Sequence, residues 1–254
     1  MPNTTLLSII TVCYNSEKTI YKTIDSLLKQ TINGFEYIII DGKSTDKTVD
    51  IIKSFEDKFK ERNINFKWVS ETDKGIYDAF NKGIKFAKGD WISFLGSDDY
   101  YLDNALEFYK LEINKLKKEV DLVHSVVKVE DIKLIQDKWE WKKFKIRMNI
   151  AHVGAFHNKN YFKKFGDYDI KYKIAGDYEL LLRAKGNLKT HWFNKVTAIM
   201  SEGGISNKQV KNVYLETTKA KIETANRNYA ISKLDYYKWI FKYRVKTILN
   251  AIIR

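Results

Sequence analysis

The first hundred residues repeat one local pattern, an apolar run followed by a polar turn and then a helical stripe of apolar residues. The apolar runs lie at 7–12, 35–40, 66–69 and 91–95. Apolar residues at helical spacing follow the first three runs, within 20–28, 49–59 and 75–87. Strands that alternate with helices favour a parallel sheet, because neighbouring parallel strands need a crossover connection that a helix supplies. The sequence therefore predicts an α/β fold with a mostly parallel sheet flanked by helices.

Polar residues follow each of the four predicted strands. They are Thr11 to Asn15, Asp41, Glu71 with Asp73, and Asp98 with Asp99. In open α/β sheets, ligands bind in the crevice beyond the carboxyl ends of the strands. Any one of these aspartates alone is more commonly a turn residue or a helix cap. Their shared position at four strand ends predicts an acid-lined cleft.

The fourth strand ends in a pair of adjacent carboxylates. The segment reads F-L-G-S-D-D, so Gly96 and Ser97 supply a turn before Asp98 and Asp99. Two hard oxygen ligands beside open space suit Mg²⁺ or Mn²⁺. The chain has no G-x-x-x-x-G-K-[ST] loop and no G-x-G-x-x-G after a strand, so a metal held by carboxylates is expected to neutralise bound phosphates.

Composition places the chain among soluble proteins with one large domain. It has 254 residues, 44% of them hydrophobic, and no apolar run approaches the roughly 20 residues that cross a bilayer. The single cysteine, Cys13, ends an apolar strand and is expected to be a core residue in a reducing compartment. We therefore expect a cytoplasmic protein.

The formal charge of +13 calls for an anionic partner. Much of the excess lies in 233–254, where six cations accompany one acid, Asp235, among aromatic and aliphatic residues. One interpretation is an amphipathic helix on an anionic membrane surface. The equally weighted alternative is a terminal helix that packs its apolar face on the domain.

Four stretches together resemble the family 2 glycosyltransferases, which are inverting enzymes of the GT-A fold. The matching stretches are S-I-I-T-V-C-Y-N-S (8–16), I-I-I-D-G-K-S-T-D-K-T (38–48), S-E-T-D-K-G-I-Y-D-A-F-N-K-G-I (70–84) and F-L-G-S-D-D (94–99). The resemblance implies that a nucleotide-sugar is held by Thr11, Tyr14, Asn15, Asp41, Asp73, Lys74, Asn81, Ser97 and Asp98, with Lys74 and Asn81 near the diphosphate. It also implies that Asp99 is the direct metal ligand, aided by Asp98. Gly96 departs from the Asn that relatives often carry.

The second half carries the catalytic base that this resemblance implies. A-G-D-Y-E at 175–179 matches the family's acidic motif, so Asp177 is the expected base and Glu179 the second choice. A cap of the following helix is the alternative role for Asp177. Two roles carry equal weight for His152: a contact to the diphosphate or the acceptor, or a histidine buried in a strand. The segment 139–148 could line an acceptor groove, stack on a sugar or touch lipid, and G-G-I-S at 203–206 could be a loop over the donor or only a turn.

These interpretations combine into one expected function. Residues 1–206 form the GT-A domain, with a nucleotide-sugar half at 1–100 and an acceptor half at 101–206, and 207–254 form a helical basic extension. With Mn²⁺ or Mg²⁺, the domain transfers a sugar, expected from UDP, to a polyprenyl-diphosphate-linked or lipopolysaccharide-type glycan in bacterial surface polysaccharide synthesis. The enzyme could lie on the inner membrane face and form a homodimer.

Two other classes of function compete with this one. A sugar-phosphate nucleotidylyltransferase would share the sheet, but the glycine-rich, arginine-containing phosphate loop typical of that class is missing. A basic module without enzymatic activity would bind membrane or nucleic acid through its charge. An acid-lined cleft would repel polyanions, so we expect no nucleic-acid partner.

Overall fold

The computed structural model describes the backbone of residues 6–130 and 132–252, and the side chains of these residues as far as 245. Within this part of the chain, nine strands form one sheet. They are β1 (Leu7–Cys13), β2 (Phe35–Asp41), β3 (Asn65–Ser70), β4 (Trp91–Gly96), β5 (Tyr100–Tyr101), β6 (Leu122–Val129), β7 (Lys133–Ile135), β8 (Ala155–Asn158) and β9 (Thr190–Met200). Each of the four strands predicted in the first hundred residues is present.

The strand order is β3-β2-β1-β4-β8-β6-β9-β5, with β7 paired to β6. The strands β1 to β4 pair in parallel, as predicted. The second half of the chain adds antiparallel pairings of β8 with β4 and β6, and of β5 with β9, while β6 and β9 pair in parallel. The sheet is therefore parallel in its nucleotide half and mixed beyond it. The order reverses direction between β1 and β4, which is the switch point where such sheets bind ligands.

Helices cover both faces of this sheet. They are α1 (Ile20–Leu28), α2 (Thr48–Lys53), α3 (Glu56–Glu61), α4 (Ile76–Phe86), α5 (Ala105–Asn114), α6 (Trp141–Phe144), α7 (Lys159–Phe165), α8 (Gly176–Leu182), α9 (Ile205–Lys208), α10 (Val210–Glu223) and α11 (Tyr229–Ile252). The single helix predicted over 49–59 is divided into α2 and α3. At the division, the Ser54 hydroxyl donates to the Ile51 carbonyl oxygen at 2.7 Å and competes with the backbone pattern.

The two faces of the sheet build two apolar cores. Successive strand residues point to opposite faces, so Leu7 and Ile9 of β1 pack with α1, whereas Ile10 packs with α4. Cys13 is buried at the end of β1, as predicted, and His124 is buried in β6. Burial raises the pKa of the Cys13 thiol, and the neighbouring Asp41 charge raises it further. The cysteine is therefore an unreactive core residue.

Close packing of α4 on β1 depends on Gly83. A Cβ at this position would lie 2.5 Å from Cγ2 of Ile10, closer than side-chain carbons approach. We expect Gly83→Ala to lower the free energy of unfolding by about 1–3 kcal/mol, since overpacking outweighs the better helix propensity of alanine. Urea denaturation measures this. Gly186→Ala is the matched control, because its Cβ would meet Trp141 at an ordinary 3.4 Å; equal losses in the two variants would contradict the packing explanation.

The C-terminal helices differ in how they meet the domain. Ala220 of α10 is fully buried among the residues of the second core, so α10 contributes to that core. Helix α11 follows it and leaves much of its surface exposed. Among the described residues, no helix combines the length and the apolar character needed to cross a bilayer.

Candidate active site

A cavity of about 760 Å³ opens beyond the carboxyl ends of β1 and β4, at the switch point of the sheet. Residues at or beyond the carboxyl ends of β1, β2, β3, β4 and β9 form its walls. They are Val12 to Thr19, Asp46, Asp73, Gly75, Ile76, Ala79, Gly96 to Asp98, Ser201, Gly203 to Ile205, and Lys208. Five of the predicted nucleotide-sugar residues therefore line one space: Tyr14, Asn15, Asp73, Ser97 and Asp98.

Side-chain hydrogen bonds tie the loops after β1, β2 and β4 together. Asn15 has the left-handed φ of 48°, and its Oδ1 accepts from the backbone N–H of Thr45 at 2.9 Å. The hydroxyls of Ser16 and Ser97 lie 3.0 Å apart, across 81 positions of sequence. The cavity floor is therefore fixed by contacts between loops.

Asp41 is buried beneath the cavity and stabilises its surroundings through hydrogen bonds. Its side chain has no exposed area and accepts hydrogen bonds from the hydroxyls of Ser44 and Ser70, and from the backbone N–H of Ser44. Asp73 lies close by, since its Oδ2 is 2.7 Å from the position of a Cβ on Gly42. Thr11 is likewise buried and accepts from the Tyr37 hydroxyl at 3.1 Å. In this structure, Asp41 holds Ser44, whose hydroxyl accepts from the backbone N–H of Asn15 in the cavity wall, whereas Thr11 lies in the core.

The carboxylates of Asp98 and Asp99 converge over Gly96. A Cβ on Gly96 would lie 3.0 Å from Oδ1 of Asp98 and 2.7 Å from Oδ2 of Asp99, so only glycine leaves this space free. Burial, with the neighbouring charge of Asp98, raises the pKa of Asp99 to about 7. Two converging carboxylates of this kind are stabilised by a cation between them. The donor set fits Mg²⁺ or Mn²⁺, which prefer oxygen ligands.

The segment 201–208 forms the wall next to these carboxylates. The backbone N–H of Ser201 donates to Oδ1 of Asp99 at 2.8 Å, and Gly203, Gly204 and Lys208 line the cavity. Burial raises the pKa of Asp98, and the nearby Lys208 ammonium opposes that rise. The first three residues of G-G-I-S are therefore part of the cavity wall. Lys208, which follows this segment, has its ammonium group near Asp98.

Asp177 lies in the first turn of α8, beside the start of α4. Its Oδ1 accepts from the backbone N–H of Tyr178 at 2.8 Å and lies 3.3 Å from the Tyr77 hydroxyl. The cavity wall includes Gly75 and Ile76, immediately before Tyr77, but not Asp177 itself. Burial raises the pKa of Asp177 to about 6.

Glu216 of α10 binds the backbone just before α8. The Glu216 carboxylate accepts from the backbone N–H groups of Lys173, Ile174 and Ala175, at 2.8 to 3.0 Å. The N–H of Tyr178 lies in the first turn of α8 and has Asp177 Oδ1 as its partner. Asp177 therefore takes part in the hydrogen bonding of the first turn, as its alternative role predicts, while Glu216 fixes the segment that precedes the helix.

Other predicted residues are engaged elsewhere. Glu179 is buried, with an ion pair to Arg183 at 2.6 Å, so it is held away from catalysis. The Asn81 carboxamide both donates to and accepts from the backbone of Tyr168. Lys74 is exposed outside the cavity wall, and His152 Nε2 lies 2.8 Å from the Tyr168 hydroxyl. Burial lowers the pKa of His152 to about 3, so this imidazole is neutral.

The aromatic segment 139–148 packs inwards. Trp139 and Trp141 lie against the second core, and the rings of Trp139 and Phe144 are 4.4 Å apart. The Tyr178 hydroxyl donates to the Phe144 carbonyl oxygen at 2.7 Å and ties the segment to α8. Its tryptophans therefore support the helix that carries Asp177.

Three residues of the site were not found by sequence reasoning. Asp46 lines the cavity and accepts hydrogen bonds from the Thr48 hydroxyl and from the backbone N–H of Glu17. Lys208 and Glu216 are ordinary surface residues in the sequence. No local signal marks them, because their roles depend on where α9 and α10 lie relative to β4 and α8.

Comparisons with known proteins agree on one family. The profile described as "Glycosyl transferase family 2" matches residues 8–173. A "PGL/p-HBAD biosynthesis glycosyltransferase" of Mycobacterium bovis is 31% identical over 221 residues, which cover 83% of each chain. An Escherichia coli "UDP-Glc:alpha-D-GlcNAc-diphosphoundecaprenol beta-1,3-glucosyltransferase WfaP" is 42% identical over 111 residues, 42% of each chain.

Solved structures share the fold at low identity. Staphylococcus aureus TarS 1–349 with UDP-GlcNAc has a TM-score of 0.66 and 18% identity over 92% of this chain and 71% of that one. This chain spans 42% of a longer TarS structure. The mannosyltransferase PcManGT from Pyrobaculum calidifontis, with GDP-Man and Mn²⁺, has a TM-score of 0.66 and 13% identity over 87% of this chain and 64% of that one.

Proposed function

The chain belongs to glycosyl transferase family 2 and has the GT-A fold, and from this premise we propose that it is an inverting, metal-dependent transferase that uses a UDP-sugar. The single observation that carries the proposal is the cavity at the β1–β4 switch point, where Tyr14, Asn15, Asp73, Ser97 and Asp98 meet. Solved relatives of the same fold contain UDP-GlcNAc, or GDP-Man with Mn²⁺, which supports a nucleotide-sugar as the donor.

Each wall of the cavity has a proposed role. Tyr14, Asn15 and Asp73 hold the nucleoside, while Asp41 keeps the adjoining loop in place through Ser44. Asp98 and Asp99 would hold a divalent cation, Mg²⁺ or Mn²⁺. When bound, that cation supplies positive charge to the diphosphate that leaves.

Asp177 is the proposed general base. Inversion by direct displacement needs a carboxylate that removes the acceptor hydroxyl's proton while that oxygen attacks the anomeric carbon from the face opposite the diphosphate. Asp177 is half-buried, and the Tyr77 hydroxyl and the backbone N–H of Tyr178 hold its Oδ1 in place at the start of α8. With a pKa near 6, the base is ionised at neutral pH. Because this pKa is close to the working pH, the carboxylate can also accept a proton readily.

We propose a lipid-linked glycan as the acceptor, in the synthesis of a bacterial surface polysaccharide. The name of the Escherichia coli relative describes an acceptor on diphosphoundecaprenol, which supports a polyprenyl-diphosphate-linked or lipopolysaccharide-type acceptor here. Such acceptors are held at a membrane, so a cytoplasmic enzyme would meet them at the inner face.

A donor screen tests the proposed reaction. The protein is incubated with a panel of nucleotide-sugars and Mn²⁺ or Mg²⁺, and free UDP is measured. We expect metal-dependent UDP release from at least one UDP-sugar, accelerated by a lipid-linked saccharide. Pyrophosphate formed from a nucleoside triphosphate and a sugar phosphate would favour a nucleotidylyltransferase instead, and salt-dependent RNA or DNA binding without UDP binding would favour a basic binding module.

Lys208 is expected to contact the donor's diphosphate. It is one of two lysines in the cavity wall, and its charge reaches Asp98. We expect Lys208→Gln to weaken UDP binding about tenfold and to leave uridine binding unchanged, since a charge-assisted bond to phosphate is lost. Calorimetry with both ligands measures this. Lys74→Gln is the control, and a selective loss of UDP affinity in that variant would place the diphosphate at Lys74 instead.

A further inference from the structure

Helix α11 has two different faces. One face packs on the domain: Ser232 is fully buried, Trp239 stacks near Tyr214 of α10 with ring centroids 6.2 Å apart, and Asp235 pairs with Arg227 at 2.7 Å. The packed face accounts for only part of the apolar residues of α11. Packing on the domain therefore does not by itself explain this segment.

The opposite face of α11 exposes large apolar side chains. Leu234 is 69% exposed, Tyr237 64% and Phe241 68%, with Ile231 and Val245 beside them. At 100° per residue these five positions fall within about 120° of the helix circumference. Isolated exposed apolar residues are common, but a continuous stripe along one helix marks an interaction surface.

Cations accompany this stripe. Lys242 and Arg244 are exposed at its two edges, and Lys238 is exposed within the stripe, near the edge that Lys242 borders. Asp235, the sole acid between 229 and 252 in the sequence, lies on the packed face, paired with Arg227. The exposed face is therefore apolar, with cations at and near its edges and without an acid.

We propose that the stripe formed by Ile231, Leu234, Tyr237, Phe241 and Val245 docks on an anionic lipid surface. The apolar side chains enter the boundary between headgroups and acyl chains, and the bordering cations contact lipid phosphates. The helix then lies in the plane of the membrane, with its other face still on α10. This inference rests on the proposed function in one respect, since it brings the donor cavity to the surface where a lipid-linked acceptor is held.

Charge decides between a lipid surface and a second copy of the chain. A symmetric dimer through this stripe would bring two sets of edge cations together, on chains that each carry a formal charge of +13. Like charges at a contact oppose association, whereas each cation near an anionic leaflet contributes about 1 kcal/mol. The anionic membrane is therefore the occupant that the surface fits.

Vesicle sedimentation with the full chain tests this proposal. Vesicles of phosphatidylcholine alone, or mixed with phosphatidylglycerol, are pelleted with the protein. We expect binding to the anionic vesicles, weakened by salt, and at least tenfold weaker partitioning, by about 1.4 kcal/mol or more, for Leu234→Ser/Phe241→Ser. The double variant Lys238→Gln/Arg244→Gln should bind anionic vesicles more weakly. Its partitioning to vesicles of phosphatidylcholine alone should equal that of the parent protein.

Two controls keep the outcome clear. Leu111→Ser removes a 49% exposed leucine on α5 and should bind vesicles as the parent protein does. Sugar transfer to a water-soluble acceptor, measured as UDP release, should be unchanged in all α11 variants. This measurement distinguishes a failure of docking from a failure of the enzymatic proposal. Equal binding by parent and Leu234→Ser/Phe241→Ser would overturn the proposal. So would a dimer in sedimentation velocity that these two substitutions convert to monomer.

Discussion

Asp177→Asn is expected to lower kcat by about 10²–10⁴-fold while UDP and metal still bind, because an amide cannot take the acceptor's proton. The substitution is nearly isosteric, and Oδ1 can still accept from the backbone N–H of Tyr178. The contacts of Glu216 with the backbone just before α8 are also kept. Steady-state kinetics and calorimetry with UDP and Mn²⁺ measure the two effects separately.

The pH dependence provides an independent measure of the same role. The base works as a carboxylate, and burial raises its pKa to about 6, so kcat should fall as the pH is lowered through 6. Glu179→Gln is the matched control on the same helix. It breaks the ion pair with Arg183 and should reduce stability more than kcat. If Asp177→Asn turns over at the parent rate, the base lies elsewhere.

Asp99→Asn is expected to abolish metal-dependent UDP binding and to reduce turnover by at least about 10³-fold, because the converging carboxylate pair is lost. The same substitution should stabilise the metal-free protein. Burial and Asp98 raise the pKa of Asp99 to about 7, above its unfolded value, so the ionised form disfavours folding at higher pH. The gain is on the order of 1–3 kcal/mol at pH 8 and disappears below pH 4, where the carboxyl is protonated in both states.

Thermal unfolding with and without Mn²⁺ measures this reversal. The parent protein should gain stability from Mn²⁺ with UDP, whereas Asp99→Asn should be more stable without them and respond to neither. Asp103→Asn is the control, because it removes an exposed carboxylate four positions away. Retained Mn²⁺-dependent UDP binding in Asp99→Asn would refute the metal site at the end of β4.

The sequence predicted the sheet of the first hundred residues closely. The strands β1, β2 and β4 are buried because their residues are mostly apolar, and these apolar runs are visible in the sequence. The acids that follow the runs mark the strand ends. Less was predicted beyond residue 100. There, His152 lies in a short 3₁₀ helix, and antiparallel strands alternate with the parallel ones, an arrangement that no local periodicity specifies.

The candidate site was predicted as a neighbourhood, with less success for individual roles. Both Asp41 and Asp73 follow strands, yet Asp41 is buried beneath the loops while Asp73 lines the cavity. Lys74 stood in the matching motif, but Lys208 is the lysine that lies in the wall beside Asp98. The exposed face of α11 needed the position of α10, since the sequence shows an amphipathic pattern without showing which side is covered.

By itself, then, the amino-acid sequence determined the α/β class, the acid-lined strand ends and the membership of this chain in its family. These depend on the periodicity of burial and on short motifs, which are properties of residues close together in the chain. Only the tertiary structure decided that Glu216 binds the backbone before α8, and that Lys208 lies in the cavity wall near Asp98. Both depend on contacts between elements dozens of residues apart, whose positions are set by the packing of the whole domain.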